Sequence, residues 1–484
     1  MAQRRRIVIG MRWAVWLSAV SLPFSYGTTI LLARTSPEAL GTYGLLNIYI
    51  GVVLGLFFLG GDPVVIKFFP ELRSERLSFL ASYFLVTCVA LVPWLLAATI
   101  WRGSIHYLLG RGASPQFQLV IMCLAPIVVF TSLVSATLKA SLEFAWAHIT
   151  LRMVTIGSFL IFAVLFAAAP DVLKRSYSPI IWCSYFGLCA IAAVIGLHML
   201  LHAKHWRSRL GTLHFYLPPG FWRYTLSLQQ LSALGFLTQR MDAVLVLNFG
   251  GLAMLGKYVA VVTLAEAIRL VSRFFTDTLL PSLTNMLAAG DMKAAADVFH
   301  THMRILFLVN TMSTCGLILI ARPVTALLGG NYLSLERMVM VLALCVGLST
   351  PGGAGATLLS SIGKQQKAVW VAIGQLVVYL SLFLFLWPRL QLLGAILAYG
   401  IGWVIGNSIL IIVARANSPF RMTIGRDYGM FVVAALGAAV VAHFLALNLV
   451  EGLGIWCVFC LLFLFLAKFT IEECKNLVQW FTPF

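Results

Sequence analysis

The feature of this sequence that most constrains the fold is a series of apolar runs, each about twenty residues long. A helix needs about 20 apolar residues to cross the hydrocarbon core of a bilayer. The chain of 484 residues contains fourteen such runs. We therefore predict an all-α integral membrane protein with about 14 transmembrane helices. The predicted limits are 12–33, 42–66, 78–101, 117–138, 150–169, 178–201, 224–248, 256–280, 304–321, 338–362, 369–387, 393–414, 428–447 and 454–469.

The scarcity of charge supports the same conclusion. Only 10% of the residues are charged and 61% are hydrophobic, whereas a soluble globular protein carries about 25% charged residues. So few charges cannot cover a water-exposed surface on a chain of this length. The composition therefore excludes a soluble globular protein.

The net charge of +18 is distributed as a topology signal. Basic residues concentrate on alternate loops, beginning with Arg4, Arg5 and Arg6 before the first run and continuing in the long loop 202–223. This is the positive-inside pattern that orients spanning helices during insertion. We predict that both termini are cytoplasmic, and we expect no nucleic-acid partner.

Two short motifs recur along the chain and indicate an internal duplication. Leu40–Tyr43 (LGTY) recurs 215 positions later as Leu255–Tyr258 (LGKY), and Ala136–Leu138 recurs 220 positions later as Ala356–Leu358. Each offset contains six apolar runs. Since six is even, both copies enter the membrane in the same orientation, which predicts parallel repeats with a substrate path between them.

The duplication predicts the domain limits. We expect an N-terminal six-helix bundle at 1–215, a C-terminal six-helix bundle at 216–420, and two additional transmembrane helices at 421–484. The two bundles are expected to surround a central cavity.

The eighth run carries the densest group of charges, namely Glu266, Arg269, Arg273 and Asp277. Their spacings place all four on one face of a helix. Each charge costs about 2.5–3.5 kcal/mol in a spanning helix by insertion scales, so such residues face a partner or water. Two interpretations stay open: pairing within the helix accounts for the charges, or the stripe lines a cavity.

Polar residues also occur in the first and seventh runs. In the seventh, Arg240 and Asp242 are two positions apart and point in different directions, so each is expected to seek a partner on another helix. The first run carries a hydroxyl stripe around Pro23, which either packs against a neighbouring helix or lines the same cavity. Its members are Ser18, Ser21, Ser25, Thr28 and Thr29.

Four lysines lie at predicted inner ends of spans: Lys67, Lys139, Lys364 and Lys367. They reflect topology, and they are also placed to attract a phosphate near the cytoplasmic surface. Cys457 and Cys460 have no accompanying ligand pattern, so no metal site is predicted. No phosphate-binding loop ending in Gly-Lys-Ser/Thr occurs, and we predict neither a cofactor nor an ATP-driven pump.

An ordered set of motifs resembles a known family over nearly the whole length. The set comprises Leu31–Arg34, Ser36–Tyr43, Arg240–Asp242, Leu255–Tyr258, Leu280–Leu283 and Leu328–Tyr332. In these segments the chain resembles the polysaccharide flippase branch of the multidrug/oligosaccharidyl-lipid/polysaccharide (MOP) exporter superfamily.

The resemblance implies a transporter and not an enzyme. It would carry an oligosaccharide linked through pyrophosphate to undecaprenol from the cytoplasmic to the outer leaflet, by alternating access, in a bacterial inner (plasma) membrane. The expected partners are membrane lipids, together with the polymerase and export components of the same pathway.

Under this resemblance, substrate binding is expected at Arg269, Arg273 and Arg240, with Ser21 and Ser25. Arg269 and Arg273 would hold the pyrophosphate, because guanidinium groups suit phosphate oxygens. Glu266, Asp277 and Asp242 would hold the arginines in place or couple transport to a cation.

Three alternatives remain: a lipid II flippase, a cation-coupled drug antiporter of the same superfamily, and a membrane polysaccharide polymerase. The two arginines in the charged stripe and the basic composition of the chain disfavour an antiporter for cationic drugs. The short external loops, about 15 residues at most, speak against a polymerase.

Overall fold

The computed structural model describes residues 2–72, 75–100, 117–141, 143–202, 214–288, 290–422, 425–445 and 447–466. Within these ranges all regular structure is helical, with a π-helix at Val53–Phe57 and a 3-10 helix at Gly330–Leu335. The all-α prediction is confirmed. The α-helices are α1 (Ala2–Thr35), α2 (Pro37–Val52), α3 (Asp62–Glu71), α4 (Arg76–Ile100), α5 (Phe117–Ala140), α6 (Phe144–Ala168), α7 (Pro170–Arg175), α8 (Tyr177–His202), α9 (Phe221–Ala288), α10 (Met292–Leu319), α11 (Ala321–Leu328), α12 (Glu336–Ser349), α13 (Gly352–Ser361), α14 (Gln365–Asn417), α15 (Gly425–Leu445) and α16 (Leu449–Leu466).

Ten segments in the described part of the chain are long and apolar enough to cross a membrane, fewer than the fourteen predicted spans. Two of the ten, in α9 and α14, each contain two predicted spans. The first predicted span lies in α1. The last lies in α16, whose apolar stretch, Leu449–Leu461, is shorter than each of the ten segments. The ten segments therefore account for twelve of the fourteen predicted spans, and α1 and α16 account for the other two. The chain is a multi-pass membrane protein.

Helix α14 shows how one segment holds two predicted spans. Its 53 residues would extend about 80 Å as a straight helix, far more than the roughly 30 Å of a hydrocarbon core. The helix breaks at Gln391, where φ is 46° and ψ is −118°. A Cβ on Gly402 would lie 3.1 Å from Cβ of Tyr379, and one on Gly406 would lie against Gln375. The two halves of α14 therefore fold back on each other as an antiparallel hairpin.

Helix α9 breaks in the same way at Gly251, whose φ of 75° favours glycine. Across the break, the hydroxyl of Tyr258 donates a hydrogen bond to Oδ2 of Asp242. Both breaks fall in the gaps between predicted spans, at 248–256 and 387–393. The predicted spans on either side of each gap are thus confirmed as separate helical arms.

The helix bounds also repeat along the chain. Pro37 begins α2 and residue 252 begins the second arm of α9, a difference of 215. Tyr177 begins α8 and residue 392 begins the second arm of α14, again 215 residues apart. The order of helices in the first repeat thus recurs in the second, as the short sequence motifs predict.

The two copies of the repeated motif lie against each other. A Cβ on Gly41 would meet the carbonyl oxygen of Leu252, and a Cβ on Gly256 would meet the carbonyl oxygen of Pro37. These positions correspond under the offset of 215, so the contact is reciprocal, as it is around a two-fold axis. Glycine at both positions is what allows the two backbones to approach this closely.

The chain divides into two compact units, Met1–Val259 and Ala260–Phe484. In the first, α1 packs against α6, and α5 packs against α8. In the second, α14 packs against α12 and α13, while α10 packs against α15 and α16. The indole N–H of Trp456 donates to the carbonyl of Met312 at 2.9 Å, which anchors α16 on α10. The predicted domain limits at 215 and 420 stay a prediction.

Candidate substrate site

The guanidinium of Arg269 lies in a closed cycle of polar contacts within the second unit. Its Nη1 is 2.6 Å from Oε1 of Glu266, and its Nη2 donates to the hydroxyl of Tyr399 at 3.3 Å. That hydroxyl donates in turn to the same Glu266 oxygen at 3.0 Å. Arg269 is 9% exposed. The Glu266 carboxylate compensates the charge of the buried arginine, and Tyr399 fixes the geometry of the pair.

The indole of Trp403 closes the cluster on one side. The guanidinium carbon of Arg269 lies 3.7 Å from the ring centre of Trp403, and 5.8 Å from that of Tyr399. A desolvated cation–π contact of this kind contributes up to about 2 kcal/mol. Tyr399 and Trp403 stand one turn apart on the second arm of α14, so both rings reach one neighbour.

Tyr399 and Trp403 are functional candidates that the sequence analysis did not identify. Both lie in an apolar run, where aromatic residues are expected for packing alone. The one signal in the sequence was that the two aromatic residues are four positions apart in a segment rich in glycine. The charge pattern of α9 required partners, but it did not indicate which helix would supply them.

The cluster is neutral overall and partly open. The side chain of Glu266 is 31% exposed, compared with 10% for Arg269. Within the described part of the chain, Oε2 of Glu266 has no hydrogen-bond partner. This oxygen can accept hydrogen bonds from a hydroxyl-bearing ligand, while Arg269 cancels the negative charge that would attract a cation.

The predicted pairing of Glu266 with Arg269 is therefore observed. The other half of the predicted stripe, the side chains of Arg273 and Asp277, lies outside the described residues. Their backbone continues α9.

Asp242 has the partner on another helical arm that its position predicts. It is 5% exposed and accepts the hydrogen bond from Tyr258 described above. Arg240 differs from it: its side chain is exposed, and its methylene stem lies beside Gly51 of α2. No hydrogen bond or ion pair joins the Arg240 guanidinium to another residue that the structure describes. Arg240 is thus an accessible cation on a spanning helix.

The described hydroxyl groups of the α1 stripe are mostly buried, and two of them donate hydrogen bonds within the helix. Ser21 is buried and Ser25 is half-buried. The Thr28 hydroxyl donates to the carbonyl of Phe24 at 2.9 Å, and the buried Thr29 hydroxyl donates to the carbonyl of Ser25 at 3.2 Å. Such bonds to the preceding turn satisfy the hydroxyls within the helix. The side chain of Ser18 lies outside the described residues.

A glutamine on the first arm of α9 caps a break in the second span. The Nε2 of Gln229 donates to the carbonyls of Gly55 and Leu56 at 2.9 and 2.7 Å, and its Oε1 accepts the N–H of Gly60 at 2.9 Å. These backbone groups follow or belong to the π-helix Val53–Phe57, where the regular helical bonds end. Gln229 therefore replaces the water that an interrupted helix would otherwise require.

The described residues contain no group of three or more His, Cys, Asp and Glu side chains that could hold a metal ion. Cys457 is exposed and Cys460 is half-buried on α16. Two thiols one turn apart do not complete a tetrahedral site, so no metal is assigned to them.

No family model matches the chain, and no curated protein matches it in sequence. Solved structures do match its fold. The lipid II flippase MurJ in an inward closed conformation aligns with a TM-score of 0.70 at 14% identity, covering 96% of this chain and 99% of that one. An inward-facing multidrug resistance transporter of the MATE family, in the MOP superfamily, aligns with a TM-score of 0.66 at 12% identity, covering 83% and 97%.

A third match is a MOP superfamily transporter from Pyrococcus furiosus, with a TM-score of 0.58 at 13% identity over 85% of this chain and 94% of that one. Identities this low establish the architecture alone. The chain has the all-α fold of the MOP superfamily transporters.

Proposed function

We propose that this protein is a flippase that moves an oligosaccharide linked through pyrophosphate to a polyprenol from the cytoplasmic to the outer leaflet, by alternating access, for polysaccharide biosynthesis. It works without enzymatic chemistry. The protein lies in a bacterial inner membrane with both termini in the cytoplasm. The fold supports the transporter class, and the residues of the candidate site favour the cargo.

The observation that carries the proposal is the neutralised cluster of Glu266, Arg269 and Tyr399. A site for cationic drugs needs an excess of negative charge, whereas here the carboxylate is paired with a buried arginine at 2.6 Å. Carboxylate oxygens and aromatic rings suit the saccharide part of the cargo, which is rich in hydroxyl groups. In our proposal Arg269 positions Glu266, and the second carboxylate oxygen accepts hydroxyls of the saccharide.

The charged end of the cargo requires a cation that is accessible. Arg240 is exposed, lies on a spanning helix and makes no ion pair with the described residues. Its planar guanidinium can bind two phosphate oxygens at once. We assign the pyrophosphate to Arg240 and not to Arg269, whose charge Glu266 neutralises. The role of Arg273 stays a prediction from the sequence.

A reconstituted assay tests these assignments. The purified protein is placed in liposomes with a fluorescent polyprenyl-pyrophosphate-linked saccharide in the inner leaflet, and the rate of its appearance outside is measured. The Arg240→Gln variant should flip the lipid at least tenfold more slowly than the wild type. Arg223→Gln removes an exposed arginine from the first turn of the same helix and should leave the rate unchanged. Equal rates for wild type and Arg240→Gln contradict the role of Arg240.

A second candidate is a lipid II flippase. The MurJ structure supports it, because its fold covers 96% of this chain. The same liposomes separate the two functions when they contain lipid II in place of the other saccharide lipid. If the protein transports lipid II faster than the other saccharide lipid, the second candidate is favoured.

A further inference from the structure

The four lysines at predicted inner ends of spans are not equivalent in the structure. Lys139 is neutralised by Asp62, with Nζ 2.5 Å from Oδ2. Lys67 lies over the ring of Tyr224, with Nζ 3.9 Å from its centre. Each of these two charges therefore has a partner within the protein.

Lys364 and Lys367 instead share one neutral acceptor. Their Nζ atoms donate to Oδ1 of Asn417 at 3.2 and 2.6 Å. The two ammonium groups are therefore no more than 5.8 Å apart, the sum of these two distances. The amide oxygen carries no charge that could offset their repulsion. Among the described residues no carboxylate pairs with either lysine.

The surroundings of this pair add positive potential. The Asn417 amide is fixed in orientation, because its Nδ2 donates to the carbonyl of Val413 at 2.7 Å. Arg415 lies two positions before it and is exposed. The pair stands where the first arm of α14 begins and beside Asn417, where the second arm ends, so the two helix dipoles oppose each other and the basic side chains supply the positive charge. The first turn contains no acidic residue.

We propose that Lys364 and Lys367 form a binding site for a phosphate group at the membrane surface. A phosphate would accept hydrogen bonds from both ammonium groups and replace the shared Asn417 oxygen. Lysine binds phosphate as a point charge, and two of them within reach of one group suit a dianion or a lipid headgroup. The site shares no residue with the cluster around Arg269 or with Arg240, and it does not depend on the identity of the transported cargo.

Two sources could supply this phosphate: an anionic phospholipid headgroup, or a phosphate free of the bilayer. Titrations of the purified full-length protein in neutral detergent distinguish them. Phosphatidylglycerol tests the first, inorganic pyrophosphate tests the second, and phosphatidylcholine measures binding to a headgroup with no net charge.

The test variant is Lys364→Gln with Lys367→Gln. The matched control is Lys174→Gln with Arg175→Gln, which removes the same charge from two exposed neighbours in α7, on the predicted outer side. We expect the test variant to bind phosphatidylglycerol at least fivefold more weakly than the wild type, while the control stays within twofold. A similar loss for pyrophosphate would assign the site to phosphate itself, and a loss for phosphatidylglycerol alone would assign it to lipid.

Two results would overturn the proposal. One is equal binding of phosphatidylglycerol and pyrophosphate by the wild type and the test variant. The other is an equal loss in the control variant, which would mean that net charge alone attracts the anion. A thermal unfolding scan on each variant verifies that the protein is folded, and loss of phosphate binding by a folded test variant supports the site.

Discussion

Gly41 and Gly256 occupy equivalent positions in the two copies of one motif, and each faces the backbone of the other copy. The carbonyl oxygen of Leu252 fills the space beside Gly41, and that of Pro37 fills the space beside Gly256. A reciprocal contact of this kind indicates that the duplicated segments are related by a local two-fold axis.

The first prediction concerns these glycines. Gly41→Ala and Gly256→Ala place a methyl group against a backbone oxygen, which cannot move aside as a side chain can. We expect each to lower the stability by about 1–3 kcal/mol, as overpacking does. Thermal unfolding of the purified variants in detergent measures this change.

Gly187→Ala is the matched control, because a Cβ on this glycine of α8 meets nothing within 4 Å. It should stabilise the protein by about 0.5–1 kcal/mol, the usual gain for alanine over glycine in a helix. If Gly41→Ala and Gly256→Ala change the stability by the same amount as Gly187→Ala, the two copies of the motif do not approach each other closely.

The second prediction concerns the charge pair in α9. Glu266→Gln leaves the Arg269 guanidinium buried without its carboxylate. Because Glu266 is partly exposed, we expect a loss below the 3–5 kcal/mol typical of fully buried pairs, at about 1–3 kcal/mol. The double variant Glu266→Gln/Arg269→Gln should recover part of this loss. A loss of stability in the double variant equal to or larger than the sum of the two single losses would disprove the pairing.

The third prediction concerns the hydrogen bond between Asp242 and Tyr258. Tyr258→Phe removes the donor from a buried carboxylate and should destabilise the hairpin by about 1–3 kcal/mol. A double-mutant cycle with Asp242→Ala, which removes the acceptor, should yield a coupling energy of at least about 0.5 kcal/mol. Additive effects would show that the bond does not hold the two arms together.

The fourth prediction concerns Gln391. It is the single non-glycine residue with positive φ in the described chain, and it stands at the break of α14. Gln391→Gly removes a backbone strain of about 1–3 kcal/mol at an entropy cost of about 0.5–1 kcal/mol, so it should raise the stability by up to about 2 kcal/mol. Gln365→Gly, at the first position of the same helix, should give no such gain. A lower unfolding temperature for Gln391→Gly would mean that its side chain supports the break.

The sequence predicts the helical architecture well, because lipid imposes a length and an apolar composition on every span. The gaps at 248–256 and 387–393 contain the two breaks, at Gly251 and Gln391. The repeated LGTY motif predicts a duplication, which the recurring helix bounds support.

The partners of the charged residues could not be predicted. Arg269 contacts Tyr399, 130 positions away, and Lys139 contacts Asp62, 77 positions away. Local spacing predicts neighbours within a helix, such as Glu266 and Arg269, but packing decides which other helix is adjacent. For the same reason the sequence did not distinguish Lys364 and Lys367 from Lys67 and Lys139.

The most direct test of the proposed function is to deplete the protein in its native host and measure lipid-linked oligosaccharides by mass spectrometry, together with surface polysaccharide. We predict that a complete oligosaccharide-lipid accumulates on the cytoplasmic side while the surface polymer is lost. An unchanged lipid pool, with raised sensitivity to cationic drugs, would contradict the proposal and favour the antiporter function.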